Sequence, residues 1–262
     1  MKYYHVDTFT NKIFAGNPAG VCILTAPKDE QWMQNIATEM NLPITAFLMK
    51  QENSFGLRWF TPTIEISLCG HGTLASAHIL REKGILRVDE KAKFLTKSGP
   101  LIASKVGNLI ELDFPLEEIR DAAAPPDLLE ELKVQPTYIG KSRTDYLIEV
   151  ESEEILRNIA PDFASLKKVK MRGVMITSRS SNTAFDFVSR FFAPAVGVNE
   201  DHVTGSSHCC LGPYWQKKLN KTNLLAYQAS ARGGVISVRI GSERVFLGGE
   251  AVTVFTADLK DE

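Results

Sequence analysis

Long apolar runs are missing from this 262-residue chain. None approaches the roughly 18–20 residues that a membrane-spanning helix needs. The opening residues, Met1-Lys2-Tyr3-Tyr4-His5-Val6-Asp7, lack the apolar stretch of a secretory signal. Cysteine is scarce: four residues are too few for a disulfide scaffold at this length. These absences predict a cytoplasmic protein in a reducing compartment. Charge of one sign is missing as well, with a formal net charge of −1 and no long run of either sign. The chain therefore has no electrostatic footprint for nucleic acid or for an anionic membrane. Neither a P-loop nor a GxGxxG stretch is present, so nothing speaks for nucleotide binding. His202, His208, Cys209 and Cys210 crowd together, but adjacent cysteines with this histidine spacing match no usual structural zinc pattern. No metal and no cofactor are expected.

What the chain does contain is the composition of a globular protein, 44% apolar and 23% charged. It also repeats itself. Arg58-Trp59-Phe60-Thr61-Pro62 returns 132 residues later as Arg190-Phe191-Phe192-Ala193-Pro194. Glu65, five residues before Gly70, returns 135 residues later as Glu200, five before Gly205, so the second copy carries a three-residue insertion. A length that can hold two domains of ordinary size, and a linker-like run at 115–126 with adjacent prolines, predict halves at 1–115 and 116–262. Strand patterns outnumber helical ones, which predicts an α+β fold. The clearest helices are expected at 29–40, 73–83 and 206–217. Pro213 should kink or end the last of these, because an interior proline costs about 3 kcal/mol.

Each copy of the repeat runs through a Gly-rich corner into a helix start. Glycines let backbone N–H groups point at a ligand, and a helix N-terminus carries about half a positive charge. Such corners suit a small anion such as a carboxylate. Aligning Gly70 with Gly205 sets Cys69 opposite Thr204 and His71 opposite Ser206. Imidazole ordinarily titrates near pH ~6.5, which fits His71 for proton transfer at neutrality. Asp201 either orients or shares a proton with it, or caps the following turn. Ser206 and Ser207 complete the second corner.

The motifs Gly16-Asn17-Pro18-Ala19, Phe60-Thr61-Pro62, Cys69-Gly70-His71-Gly72-Thr73, Glu200-Asp201 with Thr204-Gly205-Ser206, and Gly248-Gly249-Glu250-Ala251-Val252 span nearly the whole chain. In this order they resemble the phenazine-biosynthesis PhzF-like family. The resemblance implies a diaminopimelate-epimerase-like fold: two pseudo-symmetric halves, each a mixed or antiparallel sheet wrapped around a central helix. It also implies a homodimer, an inter-domain cleft, and cofactor-independent isomerisation of a small carboxylic acid by proton transfer. His71 and Asp201 then fall at catalytic positions. Asn17, Cys69, Gly70, Gly72, Thr73, Gly205, Ser206 and Ser207 fall at substrate-binding ones.

One departure weighs against this chemistry. Where the family usually reads Asn-Leu-Ser-Glu-Thr, with the Glu as acid/base, this chain reads Asn41-Leu42-Pro43-Ile44-Thr45, and Ile44 carries no proton. The alternative is a carboxylate-binding protein without turnover. A racemase of the related fold would need two cysteines, one before each corner glycine; Cys69 fits and Thr204 does not.

Overall fold

Strand pairing shapes two β-rich units, which the computed structural model describes over residues 1–87 and 89–260. One unit comprises Met1–Asp113 with Gly248–Glu262, the other Phe114–Leu247. The first opens with β1 (Lys2–Thr8) and β2 (Asn17–Leu24), an antiparallel pair. Helix α1 (Glu30–Met40) follows, its start capped by the Asp29 carboxylate, which accepts from the Trp32 N–H. Asn41, in the left-handed region at φ 49°, ends it ahead of Pro43. Then come β3 (Thr45–Lys50), β4 (Phe55–Phe60) and β5 (Glu65–Ile66), and the corner leads into α2 (Gly70–Glu82). β6 (Ala92–Thr96), β7 (Gly99–Val106) and β8 (Leu109–Pro115) follow.

Helix α2 is the centre of this unit. Gly72 through Ala77, with Ile79 and Leu80, are buried against β1, β2, β3 and β7. Its buried hydroxyls are satisfied within the helix: Thr73 Oγ1 donates to the Cys69 carbonyl at 2.6 Å and Ser76 Oγ to that of Gly72 at 2.7 Å. Gly72 is needed for close approach, since a Cβ there would sit 2.7 Å from Trp59 Cδ1. Helix α1 covers a smaller core in which Met33 and Ala37 meet Tyr3, Cys22, Leu24, Phe47 and Phe60.

The second unit contains β9 (Arg120–Asp121), α3 (Leu128–Leu132), β10 (Tyr138–Lys141), β11 (Asp145–Glu149), α4 (Glu153–Asn158) and α5 (Phe163–Leu166). β12 (Gly173–Arg179), β13 (Phe187–Ala193) and β14 (Val198–Asp201) lead to α6 (Gly205–Leu219). β15 (Asn223–Gln228), β16 (Gly234–Ile240) and β17 (Arg244–Gly249) close the run.

The repeat seen in the sequence is a repeat of strand pairing. β2 runs parallel to β3 as β11 does to β12, each time across helical connections. β3–β4, β4–β5 and β6–β7 are antiparallel, as are β12–β13, β13–β14 and β15–β16. β4 runs parallel to β6 as β13 does to β15. Register agrees too: Trp59 pairs with Ile66, and its counterpart Phe191 with Asp201. The insertion lies between the aligned prolines and glutamates, where the second unit adds a 3-10 turn at Pro194–Val196.

Two features differ from the sequence reading. Helix α6 runs through Pro213 to Leu219, so of the kink or early end expected there, the early end does not occur. The Cys209 carbonyl, which Pro213 has no N–H to serve, accepts instead from the Glu117 N–H at 3.2 Å. That outside donor removes part of the cost of an interior proline. The C-terminal strand β18 (Ala251–Asp258) pairs antiparallel with β1 and groups with the first unit. Met1 and Leu259 exchange hydrogen bonds beyond it, and Lys2 meets Asp258 at 2.7 Å. Among the described residues, no helix is long and apolar enough to cross a membrane.

Candidate active site

The residues that mark the repeat form the same brace in each unit. Arg58 donates through Nε and a terminal nitrogen to both carboxylate oxygens of Glu65, each at 2.7 Å. Arg190 does the same to Glu200, at 2.7 and 3.0 Å. Each guanidinium also lies over an aromatic ring, Arg58 over Phe60 at 5.2 Å and Arg190 over Phe192 at 4.7 Å. Two parallel N–H···O bonds fix direction as well as distance, so each brace pins the short strand (β5 or β14) that feeds a corner. The Arg58 hydrogen bonds hold the Glu65 carboxyl below the usual carboxylate range. The arginines are unequal in depth, Arg58 32% exposed and Arg190 11%, while the carboxylates run the other way, Glu65 9% and Glu200 19%, with Lys97 also paired to Glu65. Arg190 also donates to the carbonyls of Leu156 and Ile159, at 3.2 and 2.6 Å, and so closes the end of α4.

In the first corner Cys69 is the N-cap of α2 and Gly70 its first residue. The Cys69 sulfur accepts from the Gly72 N–H at 3.4 Å and lies 3.4 Å from His71 Nδ1. The imidazole is half-buried. Asn17 opens β2, a strand packed on α2, and its carbonyl accepts from Thr8 Oγ1.

In the second corner Thr204 is the N-cap of α6 and Gly205 its first residue, as the alignment of the two glycines requires. Asp201 ends β14, half-buried, and its Oδ2 accepts from the Thr204 hydroxyl at 2.7 Å. Ser206 is exposed, whereas Ser207 turns inward and donates to the Thr204 carbonyl at 2.8 Å. The corners are thus related in backbone and different in chemistry. His71, Cys69 and Ile66 in one stand where Ser206, Thr204 and Asp201 stand in the other.

Of the residues expected to bind substrate, Gly70, Gly205 and Ser206 lie at the helix starts. The Thr73 and Ser207 hydroxyls are committed to helix carbonyls, and Gly72 is held by packing on Trp59. Gln228, fully buried at the end of β15, is a corner residue that the motifs did not reveal. Its amide accepts from the Thr204 N–H at 2.8 Å and donates to the Asp201 carbonyl at 2.8 Å. In the first unit Ser98 holds its corner more simply, by donating to the Ser67 carbonyl at 2.8 Å. No sequence signal singles out either residue, because each lies far from the corner it holds.

The remaining nucleophiles are structural. Burial pushes the Cys22 and Cys209 thiols up to about 12, and raises that of Cys210 beyond ordinary reach. Cys22, Cys209 and Cys210 are reduced thiols, and among the described residues no group of three or more potential ligands is arranged for a metal. His208 is wholly buried, with Nδ1 2.8 Å from the Thr204 carbonyl and its ring stacked on Phe187 at 5.9 Å. Desolvation lowers its pKa to about 4, against the stabilising effect of that carbonyl. The unfolded chain therefore takes up a proton as pH falls below the ordinary ~6.5, and the folded protein resists until near pH 4. Stability is expected to fall by about 3 kcal/mol from this residue between pH 7 and pH 4. His208→Gln should flatten that slope in urea midpoints measured across the range; an unchanged slope would assign it elsewhere.

Comparison with known proteins agrees with the geometry. A family model described as phenazine biosynthesis-like protein (PhzC-PhzF) matches residues 6–257. A protein of Halalkalibacterium halodurans named as an uncharacterized isomerase is 54% identical over 257 residues, covering 98% of this chain and 97% of its own. The crystal structure of a PhzF-family protein from Enterococcus faecalis superposes with a TM-score of 0.94 at 41% identity, covering 98% of this chain and 99% of its own. A probable proline racemase from Agrobacterium radiobacter, at 8% identity and a TM-score of 0.70, covers 100% of this chain and 93% of its own, and shares the fold alone. With braced twin corners, a matching family model and relatives along its full length, the chain belongs to the PhzC-PhzF family of phenazine biosynthesis-like proteins.

Proposed function

We propose that this protein is a cofactor-independent isomerase that moves a proton within a small carboxylic acid. The observation that carries the reading is the asymmetry of the twin corners: an imidazole in one copy, a carboxylate in the other, on matched and braced backbones. Helix-start N–H groups at Gly70 and Gly205 hold the substrate carboxylate and the charge that develops when a carbon-bound proton leaves. His71 and Asp201 take and return that proton. A cytoplasmic homodimer is part of the same reading and rests on the family resemblance.

The second reading, a carboxylate-binding protein without turnover, is favoured by Ile44. Its side chain is 1% exposed, an apolar residue where a family acid/base is expected. Solvent deuterium uptake into a panel of small unsaturated and hydroxy acids separates the two. Uptake with any of them supports the isomerase; thermal stabilisation without uptake supports the binder. Ile44→Glu sharpens the test. Burial raises a carboxyl pKa toward the working range of an acid/base, so uptake is expected to rise at least about tenfold at some cost in melting temperature. An unchanged rate would show that Ile44 does not occupy a catalytic position.

A further inference from the structure

Thr204 does not behave as the N-cap its position suggests. An N-cap threonine normally accepts an N–H from the first turn of its helix, and this one makes no such bond. Its hydroxyl points to Asp201 Oδ2 at 2.7 Å. The surrounding hydrogen bonds fix which way each proton points. Gln228 Oε1 must accept from the Thr204 N–H, a group that can only donate, at 2.8 Å. That orients the amide, leaving Nε2 to donate to the Asp201 carbonyl at 2.8 Å and to Thr204 Oγ1 at 3.2 Å. A hydroxyl carries one hydrogen. An ionised carboxylate only accepts, so that hydrogen goes to Asp201 Oδ2 while Oγ1 accepts from Gln228.

The first corner forms without any of this. Cys69, the counterpart of Thr204, caps its helix by accepting from Gly72. Leu95 is the counterpart of Tyr227 in strand register, so the next residue, Thr96, corresponds to Gln228, and the Thr96 hydroxyl donates to its own turn, at the Gly99 carbonyl. A device present only in the unit that carries the carboxylate is not needed to build the corner. We propose that Gln228 and Thr204 are positioning residues, a two-step hydrogen-bond relay that holds the Asp201 carboxylate in its proton-transferring rotamer.

The inference rests on Asp201 taking part in proton transfer, and its test has an arm that does not. In 1H–15N spectra of the full-length protein the Gln228 side-chain NH2 pair reports on the relay. Asp201→Asn is expected to move that pair further in the wild-type and T204S backgrounds than in T204V, where the hydroxyl link is gone and only the direct bond to the Asp201 carbonyl remains. A shift in T204V equal to that in wild type would overturn the relay whatever the enzyme does. In the activity arm, T204V and Q228L should lower deuterium uptake at saturating acid at least about tenfold, with KM within about twofold. T204S, which keeps the hydroxyl, should restore most of the rate. Turnover in T204V equal to wild type would overturn the positioning role. Absence of uptake in the wild-type protein itself would instead count against the isomerase reading, leaving the relay to the spectra. Melting curves on all variants separate loss of fold from loss of positioning.

Discussion

In H71A and in D201N, solvent deuterium uptake into the substrate acid is expected to fall by about 10²–10⁴, the contribution of a positioned acid or base. Asparagine is the instructive replacement at 201. Its amide oxygen can still accept from the Thr204 hydroxyl, so that bond is kept while the group that holds a proton is lost. Alanine at 71 removes a half-buried ring that stands beside the Cys69 sulfur, outside the apolar cores. Both variants should therefore melt close to wild type. The double variant should be little worse than either single one, because groups that act on one proton fail together. Exchange that persists at the wild-type rate in both single variants would remove these residues from the mechanism.

The second large effect is on stability. Arg190→Ala is expected to cost about 3–5 kcal/mol, the range for removing one partner of a buried ion pair. The loss leaves Glu200 without its fork and strips the Leu156 and Ile159 carbonyls of a donor. Arg58→Ala removes the matching brace but should cost less, because Lys97 stays paired with the Glu65 carboxylate and the lost side chain is a third exposed. Urea unfolding of the two variants checks the ordering. Equal losses would mean that neither the Lys97 contact nor the exposure of Arg58 lessens the worth of the first brace.

Much of this was legible in the chain because its signals were local and spaced. The glutamates at 65 and 200 kept their separation from the glycines at 70 and 205, the arginines at 58 and 190 returned three residues further off, and the structure places all of them at equivalent points of equivalent elements. Their spacing announced a repeat but not the brace, since Arg–Glu pairing depends on two strands folding back on one another. The early end expected at Pro213 failed for a related reason: the donor to the carbonyl it orphans, Glu117, lies 92 residues upstream of Cys209. Gln228 gave no signal at all. A lone glutamine at the end of a strand has no spacing to read, and its meaning comes from the three groups gathered around its amide.

The pairing of β1 with β18 carries a consequence for synthesis on the ribosome. Residues 114–247 form a contiguous unit that can acquire its full set of partners as it emerges. The unit that begins the chain cannot, because an edge of its sheet waits for the strand made last. During that interval β1 holds an incomplete ladder, and the half translated first is the half finished last.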